Sequence, residues 1–171
     1  MKKIRKKTSA STKKPNNTYF LTTLCTENGN EFFGKMKSGK MEPTRTGLVA
    51  REIWETIPVN HEGISLDDYV IMPNHMHGII SCPCKGTEKQ ILKALEKSII
   101  IIGEFRKSVK EQVHKTNSKS KFAWAKNFNV YNIKDENELY DMRYYIEKET
   151  AKWEFDSENM NNKLYIVKTK K

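Results

Sequence analysis

The residues with the clearest chemical potential are His75 and His77, which flank Met76. Side chains alternate along an extended chain, so in a strand the two imidazoles share one face, and Met76, Gly78 and Ile80 share the other. Imidazoles about 6–7 Å apart along a strand can converge on one cation. An isolated His-x-His is more often two unliganded side chains at a core edge, so the tripeptide does not make a site by itself. Cys82 and Cys84 have the right chemistry to complete a structural zinc set. Cys82, however, lies roughly 16 Å beyond His77 along an extended strand and has the opposite parity, so only a sharp bend would bring it to the histidines.

A further ligand must come from another element. Residues 135–152 read as a helix, with Asp135 at the N-cap place and Glu138 three residues on in a capping-box pattern. At about 100° per residue, Leu139, Ile146 and Trp153 fall within about 60° of Met142 and form an apolar stripe. Glu149 lies inside that stripe, and Tyr145 lies on its border, one turn earlier. Tyr144 points about 100° further away. A carboxylate on a buried face is costly unless it is paired or metal-bound. Glu149 can equally sit at a fraying helix end, reaching water or Lys152, and periodicity leaves both readings open. A tyrosine bordering an apolar stripe is usually an amphipathic core residue.

These groups need a scaffold. Residues 19–25 are β-rich and read as a first strand. Residues 27–40 are rich in turn formers, with a short hairpin around Phe32 and Phe33. A helix is expected over 46–57, stopped by Pro58. Strands follow over 66–72 and 75–82, broken by Pro73-Asn74. A long helix runs from 88 to about 114, with Ile91, Leu95, Ile99, Ile102, Phe105, Val109 and Val113 near one stripe and a basic opposite face. A strand over 128–133 and the helix opened by Asp135 complete the order β–α–β–β–α–β–α. That order predicts one α+β domain, an antiparallel sheet with helices packed on it.

The formal net charge of +10 suggests a polyanionic partner, nucleic acid before membrane. The charge is concentrated at the ends. Residues 1–14 hold seven Lys and Arg and residues 163–171 hold four Lys, neither with an acid, so the body between is close to neutral. The expected organisation is a basic flexible tail over 1–17, one domain over 18–156 and a basic tail over 157–171. Three cysteines and no signal-peptide pattern fit a reducing cytoplasm. No apolar run approaches a membrane span.

The stretch Tyr69-Val70-Ile71-Met72-Pro73-Asn74-His75-Met76-His77-Gly78-Ile79-Ile80 closely resembles the signature of the single-tyrosine HUH transposases, nearest to the REP-associated, IS200-like branch. Residues 19–26, Phe32-Phe33-Gly34, Phe105-Arg106-Lys107-Ser108-Val109, residues 124–134 and Tyr145-Ile146 with Ala151-Lys152-Trp153 resemble further blocks in the family's order, so the likeness spans roughly 18–156. It implies a ferredoxin-like sheet with the histidines on a central strand. It implies Mg²⁺ or Mn²⁺ held by His75, His77 and Glu149, and Tyr145 as the nucleophile that cleaves and rejoins hairpin-associated single-stranded DNA through a 5′-phosphotyrosine. Arg106, Lys107, Lys110 and Lys121 are the expected DNA-backbone contacts, and a homodimer is left open. The chain departs from the family's pattern at Glu149-Thr150, where Asn-Pro is common, and over 125–132. Two other readings follow: a decayed or domesticated hairpin-DNA-binding protein on the same scaffold, and a small zinc-stabilised nucleic-acid module using His75, His77, Cys82 and Cys84.

Overall fold

The computed structural model describes residues 17–84 and 86–156. Strand β1 (Asn17–Cys25) is followed by a hairpin of β2 (Gly34–Lys37) and β3 (Lys40–Pro43), then helices α1 (Arg45–Glu55) and α2 (Ile57–Asn60). Strands β4 (Ser65–Ile71) and β5 (His75–Pro83), helix α3 (Glu88–Thr116), strand β6 (Asn129–Ile133) and helix α4 (Glu136–Asp156) complete the chain. Four strands form one antiparallel sheet in the order β4-β5-β1-β6, with β2 and β3 paired apart from it. This is the ferredoxin-like α+β arrangement, an antiparallel sheet with helices packed on it. Asn17, placed in the expected N-terminal tail, opens β1, and the rest of the two tails lies outside the described residues.

The sheet separates two apolar layers of unequal size. On one face Phe20, Leu24, Met76 and Ile80 pack against Val49, Ala50 and Trp54 of α1 and Ile101, Ile102, Phe105 and Val109 of α3. On the other, Ile79 and Ile133 meet Leu139 and Ile146 of α4, bordered by Tyr19, Leu21, Val70 and Tyr145. Strand alternation assigns the sides: along β5, Met76 and Ile80 face the large layer, and His75, His77 and Ile79 face α4.

Several local expectations shift. Pro58 does not end the helical region: it sits in the first turn of α2, where the missing N–H costs nothing. The hairpin begins one residue later than Phe33, which is buried in the large layer. In the first half of α3 the buried stripe is Ala94, Ser98 and Ile101 rather than Ile91, Leu95 and Ile99, and Ile99 is 43% exposed. Small residues allow α3 to approach β5, where the Ser98 hydroxyl donates to Ala94 O (2.8 Å) and lies 3.6 Å from Cys82 Sγ. Asp135 caps α4 by accepting from Glu138 N (2.9 Å). Glu138 does not return to Asp135; its carboxylate accepts from Lys134 N (2.7 Å) and the Tyr131 hydroxyl (2.6 Å), tying the first turn to β6.

Candidate active site

The turn before β5 is built first. Phe33 N donates to Pro73 O (2.9 Å), and Thr26 donates to Asn74 O through both its N–H (2.8 Å) and its hydroxyl (2.9 Å). Asn74 Nδ2 donates to Gly29 O (3.2 Å), which fixes the amide so that Oδ1 faces the His75 Nδ1 at 2.8 Å. An amide oxygen can only accept, so His75 Nδ1 carries a proton, and the neutral ring has its lone pair on Nε2. Nε2 faces Glu149 Oε1 at 3.4 Å.

His77 stands next along the same face, on the central strand beside β1 and β4. Register pairs it with Thr23, whose hydroxyl lies 3.0 Å from His77 Nδ1. Its Nε2 is 3.4 Å from the Tyr145 hydroxyl, and the two rings meet edge to face at 5.2 Å. The two imidazoles have centroids 5.0 Å apart, and Trp153 tilts over His75 at 5.8 Å. Helix α4 therefore brings Tyr145 and Glu149 onto the histidine pair from one face of the sheet. One donor atom each from His75, His77 and Glu149 falls within a mutual 4.8 Å. Periodicity left Glu149 open between burial and water, and the structure buries it: its carboxylate is 8% exposed and Oε2 has no hydrogen-bond partner.

The electrostatics of this cluster are unbalanced near neutrality. Burial, then His75, push His77 down to about 4 against the opposing pull of Glu149, so its ring is neutral at pH 7. For Glu149, burial alone raises the carboxyl. Hydrogen bonding to His75, the charges of His77 and His75, and a hydrogen bond with Tyr145 outweigh it and leave the net direction downward. All three imidazole contributions need protonated rings, because the single proton of a neutral His75 sits on Nδ1. With His77 neutral, a bound cation is the charge that can stand in for them.

The basic residues expected at the DNA lie elsewhere. Arg106, Lys107 and Lys110 belong to α3, behind the sheet from the histidines. Arg106 is engaged in the fold: it donates to Ala125 O, its own carbonyl accepts from Trp124 Nε1 (3.0 Å), and its guanidinium lies 4.9 Å from the Phe128 ring. Lys107 and Lys110 are exposed. Lys121 is exposed in the segment that joins the C-terminal end of β1 through Ala125 N to Cys25 O, the end that also carries His75. The cation over the site comes instead from α4: Lys152 Nζ is 4.8 Å from the Tyr145 ring. Cys82 faces Ser98 on the α3 side, and Cys84 Sγ accepts from Gly86 N, so β5 does not bend and neither thiol joins the histidines. Thr23 and Asn74 are the site residues to which sequence patterning gave no role, and Lys152, weighed there as a partner for Glu149, lies over the Tyr145 ring; strand parity of Thr23 against His77 is the signal that could have found the first.

A family model described as transposase, IS200-like, matches residues 44–149. An uncharacterized protein of Haemophilus influenzae is 27% identical over 157 residues, covering 81% of this chain and 83% of its own length. Among solved structures, a REP-associated tyrosine transposase bound to a REP hairpin aligns over 89% of this chain and 74% of that one, with a TM-score of 0.51 at 16% identity, a likeness of fold. The matched span runs from the cap of α1 through the histidine strand to Glu149, and on that evidence the chain belongs to the IS200-like transposase family.

Proposed function

We propose that this protein is a single-tyrosine strand transferase that cleaves and rejoins hairpin-associated single-stranded DNA, with residues 18–156 as its catalytic domain. The observation that carries the reading is the convergence of Tyr145, His75, His77 and Glu149 at one place on the α4 face. A hairpin partner is supported by the fold likeness to a transposase bound to a REP hairpin. The intact cluster favours an active enzyme over a decayed copy.

The residues fit a divalent cation. His75 Nε2 has a free lone pair, Glu149 Oε2 is buried without a partner, and the three donor atoms lie within 4.8 Å. Donors about 2.1 Å from one ion are at most roughly 4.2 Å apart, so small side-chain movements suffice. A mixed nitrogen and carboxylate set accepts Mn²⁺ readily and Mg²⁺ through its oxygen. When bound, such an ion polarises a phosphoryl oxygen and offsets the charge that develops there.

The chain's own groups perform the rest. The Tyr145 oxygen attacks phosphorus, the bond to the 3′ oxygen breaks, and the leaving oxygen takes a proton from water, so the products are a 5′-phosphotyrosine and a 3′ hydroxyl. The tyrosine proton passes to the Glu149 carboxylate, which stands one helical turn further along the same side of α4. A 3′ hydroxyl of a second strand reverses the step and conserves the bond energy. Thr23 and Asn74 hold the imidazoles in orientation. Lys152, above the tyrosine ring, lies where phosphate charge approaches. Lys107, Lys110 and Lys121 are proposed contacts for the backbone of the hairpin arms, away from the scissile bond.

The test is incubation of the full chain with labelled hairpin-bearing single strands and Mn²⁺, followed by a denaturing gel. Wild type should form a covalent adduct and Tyr145→Phe should form none. An adduct that persists in Tyr145→Phe, or moves to Tyr144, sinks the nucleophile assignment.

A further inference from the structure

Strand β4 contains a defect with a purpose. Leu66 pairs with Ile80 and Tyr69 with Gly78, so three residue steps on β4 match two on β5, and Asp67 and Asp68 together oppose Ile79. This is a β-bulge, which re-aims a side chain at the cost of ladder regularity. Ile79 faces α4; alternation from Leu66, on the large-layer side, puts Asp67 on that same side, and the extra residue lets Tyr69, three residues after Leu66, return to the large layer. The N–H of Asp68 donates to Asp67 Oδ1 (2.8 Å) and orients the carboxylate. Arg143 of α4 meets it as a fork: Nε donates to Oδ1 at 2.7 Å and Nη2 to Oδ2 at 2.6 Å. Asp67 is 16% exposed and Arg143 40%, and the guanidinium holds the Asp67 carboxyl below the ordinary range.

The fork's position gives it a function. Glu138 ties the first turn of α4 to Tyr131 on β6, one edge of the sheet. Arg143 ties the next turn to β4, the other edge. The helix is thus spanned across the sheet from both sides, and the histidines stand on β5 between the anchors. Arg143 is two residues before Tyr145 and six before Glu149. A planar fork fixes both the distance and the rotation of the helix, which a single point contact cannot do.

We propose that Asp67 and Arg143 are positioning residues for strand cleavage, a bulge-mounted fork that sets where α4 presents Tyr145 and Glu149 to His75 and His77. This rests on the reading of Tyr145 as nucleophile. The test uses the full chain with Asp67→Asn, Arg143→Lys, and the exchange Asp67→Arg with Arg143→Asp. Arg143→Lys keeps the charge and loses the fork, so it should slow adduct formation about tenfold or more at saturating DNA while changing DNA affinity by no more than about threefold. Mn²⁺ affinity, read by electron paramagnetic resonance, should fall about tenfold with it, because a displaced α4 moves Glu149 off the histidines, a loss on the scale seen when support around a ligand is removed. Amide exchange over α4 should quicken, with that over α3 unchanged, and the exchanged pair should recover part of each loss, a non-additivity expected of groups in contact. Unaltered Mn²⁺ affinity and α4 exchange in both single variants overturns the proposal. If wild type forms no adduct, the function reading fails instead, and the metal and exchange measurements still decide the fork.

Discussion

Glu149 is a buried carboxylate whose neighbours cannot compensate it fully at neutral pH, and the consequence is measurable. Without metal at pH 7.5, Glu149→Gln should melt at or above the wild-type temperature, because it removes an uncompensated charge of the same shape. With Mn²⁺ at about a hundred times its dissociation constant, wild type gains about 2.7 kcal/mol by mass action, or about 5–10 °C for a chain of this size. The variant should lose most of that gain, as read by differential scanning calorimetry. A wild-type Tm that ignores Mn²⁺, or a variant that shifts equally, removes Glu149 from the ligand set. Much of this site was legible at the residue scale: parity put His75 and His77 on one face, and helix angles put Tyr145 beside Glu149. Thr23 and Asn74 were not, because their roles depend on the register of β1 against β5 and on a turn held by Thr26 and Phe33, pairings separated by dozens of residues. The engagement of Arg106 in the fold was hidden for the same reason, since its partners Ala125, Trp124 and Phe128 come from a later loop.

At the scale of elements, the strand carrying the histidines is fixed from behind by Gly78. It faces the large layer, where an added Cβ would lie 2.4 Å from the Trp54 ring, itself fully buried. The Thr22 hydroxyl also donates to Gly78 O at 3.0 Å, so the strand cannot simply move away from the ring without loosening β1. Gly78→Ala should therefore destabilise by about 1–3 kcal/mol through overpacking. Chemical denaturation should show that Trp54→Phe, harmful alone, recovers part of this loss in the double variant. Simple additivity would mean that the close approach is relieved elsewhere. The sequence pattern located nearly every element because the apolar periods of 2 and 3.6 are local signals. It misjudged the boundary at Pro58 and the early stripe of α3. In the first a proline was read as a stop where it begins a turn; in the second, packing of small Ala94 and Ser98 against β5 overrode raw hydrophobicity.

The whole molecule is asymmetric about its sheet, and the chemistry sits on the weaker side. The face toward α1 and α3 buries Trp54, Phe20, Phe33, Phe105 and Phe122 in one continuous cluster, while the α4 face has a buried centre of Ile79, Ile133, Leu139 and Ile146. At about 25 cal/mol per Å² of apolar area, the smaller layer provides much less resistance to opening. Helix α4 should accordingly exchange its amide hydrogens through local openings of lower free energy than global unfolding, while α3 and β1 report the global value. Metal bound between β5 and α4 would join the two sides, so Mn²⁺ should slow exchange selectively over α4. At about a hundred times the dissociation constant the slowing approaches about a hundredfold, the same mass-action factor that sets the thermal shift. Native-state exchange with and without Mn²⁺, repeated in His77→Ala, would read this directly. The selective protection should vanish in the variant and leave the α3 amides unmoved. Uniform protection of both layers would show instead that α4 opens only with the whole fold, and that its docking owes nothing to the metal.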